Sequence, residues 1–264
     1  MNASSAVAPL TERDVDVAGL AVHVVQRGSG PALVVLHHST GPMWTPFYDA
    51  LAEHFTVIAP AIPGYGRSSR PTTARHPSHL AVLLHQCLDV MGHAQVHMVG
   101  LGLGGWVAAE MAAMHQGRFS TLTLVGAAGM KPREGLIHDP MMESWTDYAR
   151  QCFRSDDAFI AFFGRDPAPE IIELWDFSRE MTARVTWKPW MWSLQLPELL
   201  RSVTTPSMIV WGSDDRIVPF DCGEQYADIL CNSQLELVDD AGHVVDLEQP
   251  DRLAELIVKF SARA

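Results

Sequence analysis

One stretch constrains this chain more than any other: VHMVGLGLGGWVAAEMA, residues Val96 to Ala112. Val96, Met98 and Val99 make an apolar, strand-like run. It ends in a turn with glycine at 100, 102, 104 and 105, and an amphipathic helix is expected to follow. A strand that passes into a helix through so tight a turn belongs in an α/β layer fold, where helices cover a sheet.

Similar units recur along the chain. Val15–Gln26 reads as two short strands around Gly19, and Ala32–Leu36 and Thr56–Ala59 as strands buried on both faces. Thr121–Val125, Ser207–Trp211 and Gln234–Val238 read as further strands. Helices are expected from Thr45 or Pro46 to Glu53, from Pro77 to Gly92, from the glycine turn to His115, and from Pro250 to Ser261. This alternation predicts a mainly parallel central sheet flanked by helices on both faces. It stops between residues 131 and 200, which hold Trp145, Trp175, Trp187, Trp190 and Trp192, five of the eight tryptophans. That segment reads as a helical lid inserted into a core of residues 1–130 and 201–264, its aromatic rings lining an apolar pocket.

The formal charge of −12, without a basic cluster, argues against nucleic acid and an anionic membrane as partners. No apolar run approaches the roughly 20 residues of a membrane helix, and the first ten residues lack the pattern of a signal peptide. A cytoplasmic protein is expected, with Cys87, Cys152, Cys222 and Cys231 as buried free thiols. A homodimer is left open.

Five local signatures, in order, resemble the α/β-hydrolase superfamily, and the likeness covers nearly the whole chain. VVLHHSTGP (34–42) is similar to that family's oxyanion loop, and PAIPGYGRSSRP (60–71) to its D-x-x-G-x-G-x-S loop, with Ala61 where Asp is usual. VGLGLGG (99–105) resembles the nucleophile elbow G-x-S-x-G. WGSDDRIVP (211–219) and AGHVVDLEQP (241–250) resemble the loops of the catalytic acid and histidine. The resemblance implies an α/β-hydrolase fold with Asp215 as acid, Asp214 as its runner-up, and His243 as base. Backbone amides near Ser39 and at Leu103 would hold an oxyanion. His37 would brace the loop.

Two further departures fall in the site itself. Gly102 stands where the nucleophilic serine is usual, and His38 where glycine is usual. Gly102 admits three readings: base catalysis by His243 without an acyl-enzyme, a ligand-binding protein that has lost catalysis, or a serine hydrolase whose serine was replaced. His38 is either a second acid–base or substrate-binding group, or a ring turned away onto backbone. Ser39, with Thr40, is the nearby hydroxyl that a displaced nucleophile would need. The expected substrate is a small apolar carbonyl compound, with Trp145 and Trp187 among the residues lining its pocket. Hydrolysis by water and a base-catalysed lyase, cyclase or oxygenase step are the chemistries this admits.

No cofactor is expected. GLGLGG lies outside the first βα unit and lacks dinucleotide spacing. His76, His79, His85, His93 and His97 match no metal-site pattern, so no metal is expected either.

Overall fold

The computed structural model describes residues 8–263. Eight strands form one sheet: β1 (Thr11–Val17), β2 (Leu20–Arg27), β3 (Ala32–Leu36), β4 (Thr56–Pro60), β5 (Val96–Leu101), β6 (Phe119–Val125), β7 (Ser207–Gly212) and β8 (Ser233–Val238). Their spatial order is β1-β2-β4-β3-β5-β6-β7-β8. The β1–β2 hairpin and the β2–β4 pair are antiparallel, and all other pairs are parallel. The mainly parallel sheet expected from the sequence is therefore present, with an antiparallel hairpin at one edge.

Among the described residues, ten α-helices connect and flank the strands: α1 (Pro46–Ala52), α2 (Pro77–Val90), α3 (Leu103–His115), α4 (Trp145–Cys152), α5 (Asp156–Phe163), α6 (Pro169–Thr186), α7 (Leu196–Leu200), α8 (Phe220–Ile229), α9 (Val245–Glu248) and α10 (Pro250–Ser261). Strand alternation divides the core into two layers. Leu33 and Val35 of β3 pack with Phe47 and Leu51 of α1 and Leu253 and Ile257 of α10, while Val34 and Leu36 point to the layer of α2 and α3.

The expectation of an amphipathic helix after the glycine turn is corrected. Every α3 residue from Leu103 to Ala112 is buried, Glu110 included, because α2, α7 and the sheet enclose it. Glu110 is tolerated there because it accepts a hydrogen bond from Trp106 Nε1 at 3.1 Å.

Between β6 and β7 the chain carries α4 to α7 and no strand of the sheet. Of these, α6 lies over the loops that leave β3 and β4. Met181 packs on Gly64, Ser178 and Leu174 on Gly41, and Tyr65 shares a 2.9 Å hydrogen bond with Thr182. By contrast, α7 packs against α3 and α8. Cys87, Cys152 and Cys222 are buried free thiols, but Cys231 is exposed just past the end of α8. No helix among the described residues is long and apolar enough to cross a membrane.

Candidate active site

Gly102 forms the turn between β5 and α3, at φ 53° and ψ −112°. A side chain in so sparsely populated a region costs about 1–3 kcal/mol. The neighbouring glycines are required by contact instead. A Cβ on Gly100 would meet Gly104 O at 2.5 Å, one on Gly104 would meet Leu36 O at 2.4 Å, and one on Gly105 would meet Ala127 Cβ at 2.5 Å. The Gly102 amide donates to Val125 O (2.9 Å), and its carbonyl accepts from Gly105 (3.0 Å) and Ala128 (3.2 Å). Leu103 follows as the first residue of α3, where a helix leaves its amides unpaired.

The loop after β7 brings Asp215 to His243. Asp215 Oδ1 accepts from the amides of Ile217 (2.8 Å) and Val218 (3.0 Å), and Oδ2 lies 2.9 Å from His243 Nδ1. A carboxylate can only accept, so Nδ1 carries the proton and Nε2 bears the lone pair. Both side chains are buried. Asp214 points elsewhere, accepting from the Ser213 hydroxyl at 2.8 Å. The two loops meet backbone to backbone, for a Cβ on Gly212 would stand 2.1 Å from Gly242 O. Gly126 makes room for the pair itself: a Cβ there would stand 3.1 Å from His243 Nδ1 and 3.3 Å from Asp215 Oδ2. The amide of His243 is fixed from the other side by Cys152 O, at 2.8 Å.

His38 does not turn away onto backbone. Its Nε2 lies 2.8 Å from Asp246 Oδ1, and its ring centroid is 5.2 Å from that of His243. A Cβ on Gly102 would stand 2.7 Å from His38 Nδ1 and 2.9 Å from His243 Nε2. Gly102, His38 and His243 therefore meet at one point. Asp246 escaped sequence reasoning because no fixed spacing links it to a histidine 208 positions away. The available signal was an acidic residue flanked by apolar Val245 and Leu247.

His37 ties two loops together. Its Nδ1 donates to His38 O (2.7 Å), and its Nε2 accepts from the Ile62 amide (3.0 Å). Burial lowers its pKa from 6.5 to about 4. The unfolded ring takes up a proton near pH 6.5, whereas the folded ring does not until about pH 4. Its contribution to stability is therefore fully present above pH 6.5 and is lost as pH falls toward 4, by about 3 kcal/mol in all. Urea unfolding of the wild type and of His37→Gln across this range should show the wild type losing about 3 kcal/mol more than the variant, since His76, His85 and His97, whose pKa values burial lowers as well, act on both alike.

Ser39 shares a 3.3 Å hydrogen bond with Tyr148 of α4, and Trp145 stacks on the same Tyr148 at 4.7 Å, fully enclosed. Trp187 is not brought to the site; it is 65% exposed and packs edge-on against Trp190. It follows the end of α6, and Lys188-Pro189 turns the chain there. His85 and His97 are held by Met111 O and Thr121, and His76 caps α2, all away from Gly102.

Two small clefts of about 30 Å³ border the 37–41 loop, one reaching His38 and Asp246 and the other Cys152, Phe163 and Trp175. A wider cleft, about 250 Å³, lies along β2 and β4 and shares His37, Met43 and Tyr48 with the first.

Residues 33–256 match the model of the Alpha/beta hydrolase family. The chain is 25% identical over 278 residues to the 2-hydroxy-6-oxo-6-(2'-aminophenyl)hexa-2,4-dienoic acid hydrolase of Metapseudomonas resinovorans, covering 96% of this chain and 91% of that protein. It is 26% identical to a 2-hydroxy-6-oxononadienedioate/2-hydroxy-6-oxononatrienedioate hydrolase of a Pseudomonas species, covering 92% of each. Among solved structures, the 2-hydroxy-6-oxo-6-phenylhexa-2,4-dienoate hydrolase of Rhodococcus sp. strain RHA1 is similar in fold, with TM-score 0.75 and 23% identity over 97% of this chain and 99% of that one.

Proposed function

The chain belongs to the alpha/beta hydrolase family, and we propose that within it the protein hydrolyses a carbon–carbon bond beside the carbonyl of a small, uncharged, largely apolar ketone. His243 acts as general base and no acyl-enzyme forms on residue 102. One observation carries this reading: the buried Asp215–His243 pair aims its free nitrogen at a glycine. A base so placed takes a proton from water or substrate instead of from a side-chain hydroxyl.

The curated relatives support the reaction type. The compounds in their names carry a ketone on an unsaturated carbon chain and no ester or amide, so adding water across them must break a carbon–carbon bond. Those compounds are carboxylic acids. The clefts bordering His38 here offer His37, His38, Thr40, Thr45, Tyr48 and the Asp246 carboxylate as polar groups, and no Lys or Arg is among their lining residues. An uncharged substrate fits that lining better.

The amides near Ser39 and of Leu103 would hold the negative charge that develops on the carbonyl oxygen. Helices α4, α5 and α6, within the 131–200 segment, serve as the lid, with Trp145 fixing Tyr148 over Ser39. His38 packed against Gly102 speaks against a serine hydrolase that merely lost its hydroxyl, since a side chain at 102 would press on that ring.

Rapid-quench assays with an aryl 1,3-diketone, with 2-hydroxy-6-oxo-6-phenylhexa-2,4-dienoate and with an activated ester test the proposal. The diketone is expected to be cleaved at a constant rate from the first turnover, with labelled water oxygen in the acid product. A burst on the ester would instead restore an acyl-enzyme. Tight diketone binding without turnover would make the protein a ligand binder.

A further inference from the structure

A second carboxylate-backed histidine faces His243 across Gly102. His38 and Asp246 are joined at 2.8 Å with both side chains buried. Burying such a pair costs desolvation that its attraction barely offsets, so stability gives no reason for it. The carboxylate accepts, so His38 Nε2 carries the proton and Nδ1 bears the lone pair. That Nδ1 is buried and has no hydrogen-bond partner among the described residues. It approaches the point that a Cβ on Gly102 would occupy to 2.7 Å, and His243 Nε2 approaches the same point to 2.9 Å. The two nitrogens are thus no farther apart than two hydrogen bonds laid end to end, and one oxygen atom can reach both.

We propose that His38, positioned by Asp246, is a second proton acceptor of this site, and that the two imidazoles together hold one water molecule by accepting both of its hydrogens. The inference rests on the general-base reading above and goes beyond it. Two converging lone pairs call for a ligand with two hydrogens on one atom. Water has them, whereas a serine hydroxyl has one. Held in this way, the water turns its own lone pairs outward, toward a carbonyl carbon.

The step balances without an oxidant or reductant. The water oxygen bonds to the carbonyl carbon while one of its protons passes to an imidazole. The carbon–carbon bond then breaks, its electron pair stays on the departing carbon, and that carbon takes the proton back. The second hydrogen remains on the carboxylic acid product.

Nuclear magnetic resonance of the full chain, labelled with ¹⁵N-histidine and free of substrate, reads the tautomers. At about pH 8 His38 is expected as Nε2–H with a bare Nδ1, and His243 as Nδ1–H with a bare Nε2. His38 protonated on Nδ1 overturns the proposal, whether or not the protein proves to be an enzyme. Kinetics supply the second arm once a substrate turns over. His38→Ala should lower kcat about 10²–10⁴-fold with little change in KM. Asp246→Asn, which keeps the shape of the pair, should lower it less, and imidazole added to His38→Gly should restore part of the loss. Full activity in His38→Ala, alongside its loss in His243→Ala, removes the second acceptor and leaves the hydrolase reading standing.

Discussion

Replacing His243 by alanine is expected to lower kcat about 10²–10⁴-fold while KM stays within a few-fold, because a general base acts in the transition state and adds little to ground-state binding. The more telling variant is Asp215→Asn. The amide can donate to Nδ1, which moves the ring proton to Nε2 and aims a hydrogen at Gly102 where a lone pair stood. The fall should approach 10⁴-fold, the size of effect that this exchange has in serine proteases. Circular dichroism should remain unchanged, since the Ile217 and Val218 amides that now meet Asp215 Oδ1 can still be met by the asparagine carbonyl. Wild-type turnover in either variant would remove the base assignment altogether.

The second large effect concerns Gly102 and His38 together. Gly102→Ser alone should gain almost no esterase activity and should lose about 1–3 kcal/mol of stability. The new Cβ falls in a strained backbone region and within 2.7 Å of His38 Nδ1. That ring has little freedom to yield, being buried and held by Asp246. Adding His38→Gly to Gly102→Ser removes the obstruction, and the double variant should show burst kinetics on an activated ester, at least tenfold above Gly102→Ser alone. The non-additivity is the measurement, because two independent substitutions would multiply. If Gly102→Ser alone becomes a good esterase, the glycine is a simple loss and His38 has no part in the site.

The middle of the sheet was legible because strands such as β3 are continuous apolar runs. Ala32–Leu36 and Pro250–Ser261 fall where the pattern puts them. α8 was missed, since its sequence, FDCGEQYADI, has glycine and two acidic residues among its first five and its buried side is only Cys222, Gly223 and Tyr226. The burial of α3 was legible but misread: LGGWVAAEMAA carries one charged residue, Glu110, and a helix apolar on every side is buried rather than amphipathic. Within the site, Asp215 and His243 stood out because each sits in a local motif. Asp246 did not, because its meaning depends on a contact 208 residues away. Trp187 was misplaced because composition counts aromatic rings without saying which side of a turn they take.

The bond from the His243 amide to Cys152 O joins the base to the last turn of α4, and the Val244 amide reaches the same oxygen at 3.3 Å. Helix α4 and the base thus share one mechanical fate: lifting the helix would pull the imidazole off its carboxylate. α6 is fastened to the core elsewhere, by the Tyr65–Thr182 hydroxyl bond, by Thr182 on Ser39 O and by Met181 against Gly64, and none of these contacts holds His243. A lid of the kind proposed above is therefore expected to open along α6 with α4 in place, so that traffic through it leaves the proton-handling groups undisturbed.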